Sequence, residues 1–196
     1  DSLLTKLQSA LIDEIRDGEA SLELHQDWLI IELSSGMLFS SGSAVAQQRA
    51  KQVVGLVKDI IAPVDNYIRV RGYTDNEGIR NEMFRSNWEL SVARATSVLV
   101  ELESLGINPA RMAIEGYGQY SPFASNDTEQ GRAENRKVVV ALSKYGLPPK
   151  EPENTEQESQ NQPQQTTEIE LPSDDNSIKV IQLPHGGIRI TTRNEQ

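Results

Sequence analysis

Apolar and polar residues alternate over residues 68–71, a period of two that is typical of a β-strand with one buried face. Over residues 90–102 the apolar positions recur at helical spacing instead. The pattern therefore predicts a strand that ends at Gly72, then a polar loop, then a helix. Ser86 and Glu89 have the spacing of a capping box, in which each side chain accepts a hydrogen bond from a free backbone N–H, so the helix is predicted to begin near Ser86.

The same two periodicities recur along the first three quarters of the chain. They predict strands at residues 21–24, 28–33, 112–114 and 137–142, with a turn at 25–27, and helices at residues 2–17, 53–61 and 131–135. Ser43 is predicted to cap the helix that Pro63 ends. This order predicts an α+β two-layer sandwich, with a mixed β-sheet packed against helices.

The first helix has a narrow apolar stripe formed by Leu4, Leu7, Leu11 and Ile15. A stripe of this width suits two partners equally, so two interpretations stay open. The helix is either a lid over the sheet or a dimerisation or regulatory element that joins the domain to a membrane anchor. In the second case it has to rearrange before the domain can reach its ligand.

The composition changes near residue 146, which gives three predicted regions: 1–20, a linker helix; 21–145, the folded domain; and 146–196, an acidic tail. Residues 148–167 are rich in Pro, Glu and Gln, and such a segment is predicted to be disordered because it has too little apolar surface to bury. Two short strands are predicted around residues 184–187. A lone hairpin is marginal in water, so it either docks or stays loose.

Charge and residue usage exclude several classes of function. The 196 residues include 29 acids and 19 Lys or Arg, for a net charge of −10, which argues against nucleic-acid binding because that binding rests on neutralising phosphates. The chain contains no cysteine, so disulfides and thiolate metal sites are excluded. No apolar run approaches the roughly 20 residues that cross a bilayer. Because the chain begins at Asp1, we interpret it as a fragment without its membrane or export segment.

The clearest candidate chemistry is an acid and a base on neighbouring elements. Asp75 follows the central strand, and Arg94 lies one turn into the next helix, from which it can point back at the loop. An acid facing an arginine suits a ligand that carries both an ammonium and a carboxylate group. The alternative for Asp75 is an Asx-turn, and for Arg94 an exposed ion pair with Asp75 or Glu89, which is worth about 1 kcal/mol or less.

Several motifs in register resemble the OmpA-like peptidoglycan-binding domain over residues 33–142. They are Gly-Tyr-Thr-Asp at 72–75, Leu-Ser at 90–91, Arg-Ala at 94–95, Gly-Tyr-Gly at 116–118 with Pro122, and Gly-Arg-Ala-Glu-Asn-Arg at 131–136. Within that family, residues 86–91 (Ser-Asn-Trp-Glu-Leu-Ser) and the extended loop before them are similar to the B subunits of flagellar stators, the MotB and PomB group.

The resemblance implies a role for each matching residue. Asp75 is expected to contact the ammonium group of diaminopimelate in a peptidoglycan stem peptide, and Arg94 its carboxylate. The remaining expected ligand-binding residues are Thr74, Asn87, Leu90, Ser91, Asn135, Arg136 and Arg132, the last of which has local pairing with Glu129 as its alternative. The chain departs from the family at Tyr73, where a histidine is usual, so a pH-tuned role at this position is in doubt.

The resemblance also implies the biological setting: non-catalytic binding of peptidoglycan that holds a flagellar stator to the cell wall. Cofactors are not expected, and the expected partners are an A subunit of the MotA or PomA type and a second B subunit. The expected location is the periplasm, with a missing transmembrane helix as tether. The rivals are an anchor in an outer-membrane lipoprotein, porin or secretion system, and a wall hydrolase that uses an acid pair drawn from Asp75, Glu77, Glu82 and Glu89. Calcium binding is not expected, because the loop lacks the regular ligand spacing.

Overall fold

The computed structural model describes residues 2–148 and two short strands nearer the C-terminus, at residues 178–182 and 188–192. The chain divides into two compact units, Asp1–Pro149 and Lys150–Gln196. In the second unit the two strands pair antiparallel, which confirms the predicted hairpin. The segment that was predicted to be disordered lies, from residue 149, outside the described residues.

A five-stranded mixed sheet forms the centre of the first unit. Its strands are β1 (Ala20–His25), β2 (Trp28–Ser34), β3 (Asn66–Tyr73), β4 (Met112–Gly118) and β5 (Lys137–Gly146), and they lie in the order β1-β2-β5-β3-β4. Strands β3 and β4 are parallel, and the other pairs are antiparallel. The hairpin of the second unit supplies β6 (Ile178–Gln182) and β7 (Ile188–Thr192). The predicted α+β fold with a mixed sheet is confirmed.

Six α-helices and one 3-10 turn accompany the sheet in the described residues. The helices are α1 (Leu3–Ala10), α2 (Ile12–Arg16), α3 (Ser35–Leu38), α4 (Gln48–Ile61), α5 (Asn87–Ser104) and α6 (Glu129–Asn135), and the turn is Pro109–Arg111. Within these parts of the chain, no helix has both the length and the apolar character that a membrane crossing requires.

The main core lies between one face of the sheet and helices α4 and α5. Ile68 and Val70 of β3 are fully buried, as the alternation along that strand predicts. Val57 of α4 and Leu102 of α5 pack in the same cluster. Burial of these aliphatic side chains therefore fixes α5 against β3, the two elements that flank the polar loop.

The predicted first helix is two helices, so the expectation of one continuous helix was wrong. Leu11 leaves helical geometry at φ −105° and ψ 21°, and its side chain is fully buried, as is that of Leu7. Both residues belong to the main core, and α1 packs on α4. The described contacts of this segment are those of a lid over the core.

The prediction that Ser43 caps the second long helix was also wrong. Helix α4 begins at Gln48, and Gln47 is its N-cap, without a side-chain hydrogen bond. Phe39 pairs with Ala46 across the intervening residues, which fold into a loop, and the Ser43 hydroxyl accepts a hydrogen bond from the N–H of Val45 within it. This loop supplies one wall of the site.

Candidate functional site

Helix α5 begins where its capping residues predict. The Ser86 hydroxyl accepts a hydrogen bond from the N–H of Glu89 at 3.3 Å. The Glu89 carboxylate accepts one from the N–H of Arg85 at 2.7 Å, one residue before the position that a standard capping box uses. The acid of this turn therefore holds the helix start.

Gly72 lets the start of α5 lie directly on β3. A Cβ atom at this position would be 1.9 Å from the carbonyl oxygen of Ser91, so no other residue fits without a backbone shift. The loop that carries Asp75 and the helix turn that carries Arg94 are thereby fixed at a short separation.

A cavity of about 810 Å³ opens where β3, α5 and the loop before α4 meet. It brings together six of the predicted site residues: Thr74, Asp75, Asn87, Leu90, Arg94 and Arg136. Asp75 and Arg94 thus face the same cavity from neighbouring elements.

Asp75 is buried, and both of its carboxylate oxygens have partners. Oδ1 accepts a hydrogen bond from the N–H of Glu77 at 3.0 Å, which is the Asx-turn that a loop acid favours. Oδ2 lies 2.6 Å from Nη1 of Arg136. The Nδ2 group of Asn87 donates to the backbone carbonyls of Asp75 and Glu77, at 3.3 Å and 2.9 Å, and holds the loop to the helix.

Arg94 is also buried, but its partners are different. Nε donates to the carbonyl of Ser43 at 2.9 Å, and the guanidinium carbon lies 5.3 Å from the centre of the Phe39 ring. Neither Nη atom makes a hydrogen bond or an ion pair with a residue of the described range 2–148. Burial lowers the pKa of Arg94 to about 10, with the charge of Asp75 acting in the opposite direction, so the group is still charged at neutral pH.

A chain of ion pairs forms the rim of the cavity beside Asp75. Arg136 contacts Glu129 as well as Asp75, with 2.7 Å between Nη2 and Oε1. Burial alone would lower the pKa of Arg136, but its hydrogen bonds to Asp75 and Glu129 raise it above its ordinary value. Arg132 lies 3.0 Å from Glu129 and 3.5 Å from Glu77. Its contacts in the structure are therefore those of local pairing with Glu129, the alternative to ligand binding given above.

Three of the predicted site residues do not line the cavity: Ser91, Arg132 and Asn135. Ser91 is fully buried, donates to the carbonyl of Trp88 and accepts from the N–H of Gly118, so it joins α5 to β4. Asn135 binds the backbone of the loop after β4 through the N–H groups of Phe123 and Ala124. In this structure the three residues support the walls, and their contact with a ligand stays a prediction.

The structure also places residues at the cavity that the sequence reasoning did not single out. They are Ser35, Gly36 and Phe39, the loop residues 40–42 with Gln47, residues 78–81, and Glu129. Residues 39–44 have the sequence Phe-Ser-Ser-Gly-Ser-Ala, and the first four of them line the cavity.

Tyr73 points away from the cavity. Its ring stacks on Tyr117 at 4.9 Å between centroids and meets the edge of Phe123 at the same distance, and burial raises the pKa of Tyr73 to about 12. Trp88 is 48% exposed and stacks on Tyr120, whereas Phe84 is buried.

Within the described part of the chain, no three His, Asp, Glu or Cys side chains are grouped closely enough to hold a metal ion. The charged side chains that line the cavity are those of Asp75, Glu77, Arg80, Arg94, Glu129 and Arg136.

A family model described as the OmpA family matches residues 38–136, which include the strand, loop and helix of the site. The chain belongs to the OmpA family. Motility protein B of Bacillus subtilis is 30% identical over 151 residues, which are 74% of this chain and 57% of that protein. Motility protein B of Helicobacter pylori strain J99 is 32% identical over 65% of this chain and 51% of its own length, so the chain spans a little over half of either relative.

Two solved structures are similar to this chain in fold. The cell wall anchor of the T6SS from Pseudomonas aeruginosa matches with a TM-score of 0.66 at 28% identity, over 71% of this chain and 98% of that one. The periplasmic domain of Helicobacter pylori MotB (residues 90–256) matches with a TM-score of 0.60 at 31% identity, over 65% of this chain and 82% of that one.

Proposed function

We propose that this chain binds peptidoglycan without catalysis, and that the 810 Å³ cavity holds the free ammonium and carboxylate groups of a diaminopimelate side chain. The OmpA family membership and the similarity to a cell wall anchor support the ligand class. The charged groups of the cavity support the part of the ligand that enters it.

The observation that carries the proposal is the state of Arg94. The residue is buried and lines the cavity, its Nε donates to Ser43, and one face of its guanidinium lies over the Phe39 ring. Its two Nη atoms have no carboxylate partner in the described residues. A buried charge is costly unless it is paired. A ligand carboxylate would pair with Arg94 in the planar, two-bonded geometry that arginine favours.

Asp75 is the natural contact for the ammonium group. Its Oδ2 already accepts a bond from Arg136, but an ionised carboxylate has about four acceptor positions, so an ammonium group can join that bond. The ligand head then lies between Asp75 and Arg94, with its ammonium group next to the Asp75 carboxylate and its carboxylate next to the Arg94 guanidinium.

Two of the four acids on which the hydrolase alternative draws are engaged in this structure. Asp75 pairs with Arg136, and Glu89 accepts a backbone hydrogen bond at the start of α5. An acid pair for glycoside hydrolysis needs one carboxyl group that protonates the leaving group and a second on the other side of the bond. The engagement of these two acids favours a binding module.

At the level of the assembly, we propose that the domain anchors a flagellar stator unit to the wall from the periplasm. The similarity to the two motility proteins B supports this setting, as does the Ser-Asn-Trp-Glu-Leu-Ser sequence at the start of α5. A transmembrane helix as tether, an A-subunit partner and a homodimer belong to the same proposal. The similarity to the T6SS anchor favours a second setting, a secretion-system anchor with the same ligand.

A sedimentation assay with purified sacculi tests the binding proposal. We expect the wild-type chain to co-sediment and the Asp75→Ala/Arg94→Ala double variant to remain in the supernatant. The matched control is Lys58→Ala/Asp59→Ala, which removes one base and one acid from an exposed ion pair on α4 that does not line the cavity. Equal sedimentation of the wild type and the Asp75/Arg94 variant would contradict the proposal, and soluble muropeptides released by the wild type would favour the hydrolase.

The gene segment upstream of this chain separates the two settings. A single transmembrane helix that contains an aspartate is expected for the stator. A lipobox or a barrel in its place would contradict the stator proposal and leave the binding proposal standing.

A further inference from the structure

Residues 78–83, in the loop between β3 and α5, form a separate segment at the cavity, which we call the lid. Four of its six residues, 78–81, line the cavity. The lid contains no helix or strand, and all of its residues except Ile79 are exposed. Segments with few buried contacts are the ones that open most easily in a folded protein, so the lid is the part of the wall that can move.

Both ends of the lid are fixed to the domain. Before it, the backbone carbonyl of Glu77 accepts a hydrogen bond from Nδ2 of Asn87 at 2.9 Å, which holds this point to α5. After it, Phe84 is buried, with 8% of its surface exposed. A Cβ atom at Gly78 would meet no atom within 4 Å, so the chain has room to turn directly after the first fixed point. The lid can therefore swing between these points while β3 and α5 stay in place.

One hydrogen bond joins the lid to the loop before α4 in the described part of the chain. Nδ2 of Asn81 donates to the carbonyl of Gly42 at 3.2 Å, at an exposed position. The other atom of the same amide group shapes the lid itself, because Oδ1 accepts from the N–H groups of Met83 and Phe84 at 2.9 Å and 2.8 Å. Asn81 thus has two separate roles, one for each polar atom of its side chain.

We infer that the lid opens when the Asn81–Gly42 hydrogen bond breaks, and that this opening controls how fast a ligand enters and leaves the cavity. The kinetic part rests on the proposed function, because it needs a ligand in the cavity. An exposed hydrogen bond contributes little net free energy, so the open form is accessible at equilibrium. Because passage needs the open form and the bond is the same in the free and the bound protein, weakening it should raise the association and dissociation rate constants by the same factor and leave the affinity unchanged.

Asn81→Asp separates the two roles of this side chain. The carboxylate keeps an acceptor for the N–H groups of Met83 and Phe84, but it has no donor for the Gly42 carbonyl. Asn76→Asp is the matched control, because it adds the same charge to the same loop at an exposed position that does not line the cavity. A difference between the two variants therefore reports the lost hydrogen bond and not the added charge.

Stopped-flow mixing with a fluorescent tripeptide that contains diaminopimelate measures both rate constants. For Asn81→Asp we expect each to rise by roughly twofold to tenfold, the range that one net hydrogen bond provides, while Kd stays within about twofold. Asn76→Asp should follow the wild type. Unchanged rate constants in Asn81→Asp, or faster dissociation without faster association, would overturn the control of ligand exchange by the lid and leave the proposed function standing. Absence of binding by the wild type would overturn the proposed function and the kinetic role of the lid with it.

Pulsed EPR tests the opening itself without a ligand. The chain has no cysteine, so Met83→Cys on the lid and Asp59→Cys on α4, both at exposed positions, take one nitroxide label each. In this labelled background the distribution of distances between the two labels should be broader with Asn81→Asp than with Asn76→Asp. Equal distributions would overturn the lid, whatever the result with the tripeptide.

Discussion

Asp75 and Arg136 form a 2.6 Å ion pair although 61 residues separate them in sequence. The pair joins the loop after β3 to the residue that follows α6. The Asp75 carboxylate therefore has a structural partner before any ligand arrives, and Arg94 is left as a buried cation of the cavity without a carboxylate partner in the described residues.

Replacement of Asp75 by asparagine should lower the free energy of unfolding by about 1–3 kcal/mol, because it gives a part-buried hydrogen bond between two charged groups a neutral acceptor. The matched control is Glu77→Gln, in which the lost carboxylate is 70% exposed and lies 3.5 Å from Arg132. We expect this control to change stability by about 0.5 kcal/mol or less. Urea denaturation measures both, and equal effects would show that the Asp75–Arg136 pair contributes no more than a surface contact.

A single methyl group at Gly72 should unfold or severely destabilise the domain. Gly72→Ala places a carbon atom 1.9 Å from the Ser91 carbonyl oxygen, and we expect a loss of about 3 kcal/mol or more through the backbone shift that follows. Gly55→Ala, within α4 and with no atom near the new Cβ, should instead stabilise by about 0.5–1 kcal/mol. Thermal unfolding distinguishes the two, and a folded Gly72→Ala variant of wild-type stability would refute the close approach.

Tyr73 should make the domain less stable at high pH. Burial raises the pKa of its phenol from 10.0 to about 12, so its contribution to stability is complete below pH 10 and is lost as the pH rises through 12. The free energy of unfolding should therefore fall more steeply over this window in the wild type than in Tyr73→Phe. Tyr120→Phe, whose ring is 62% exposed, is the control and should follow the wild type.

The lid formed by α1 and α2 should contribute strongly to stability. Leu7→Ala removes a fully buried side chain and is expected to cost about 2–5 kcal/mol. Ile12→Ala, 58% exposed, should cost about 0.5 kcal/mol or less. Chemical denaturation measures the loss in the free energy of unfolding for both variants. If Leu7→Ala loses as little as Ile12→Ala, packing of α1 on the core does not stabilise the domain, and a regulatory rearrangement of the first helix gains support.

The order of strands and helices could be predicted from the sequence because each apolar period reports a local geometry. Alternation over residues 68–71 lies inside β3, and the capping residues Ser86 and Glu89 mark the start of α5. The break in the helix at Leu11 could not be predicted, because a buried side chain at a helix break has the same spacing in the sequence as one within a continuous helix.

The composition of the site could be predicted only in part, for a reason of the same kind. Family motifs indicate that Asp75, Arg94 and Arg136 are near one another, but spacing along the chain does not determine which arginine reaches the acid. Ser35 carries no motif. It lines the cavity because α3 begins directly after β2, a feature of the fold that spacing along the chain does not indicate.

The contact between Gly72 and Ser91 also has a mechanical consequence. Tension applied to Arg94 along a bound ligand passes from the α5 backbone straight into β3, a central strand of the sheet, and not through flexible side chains. Asp75 and Arg94 lie on two elements whose backbones are in direct contact. Under such a load we therefore expect their contacts with the ligand to break together, when the sheet unfolds, and not one at a time.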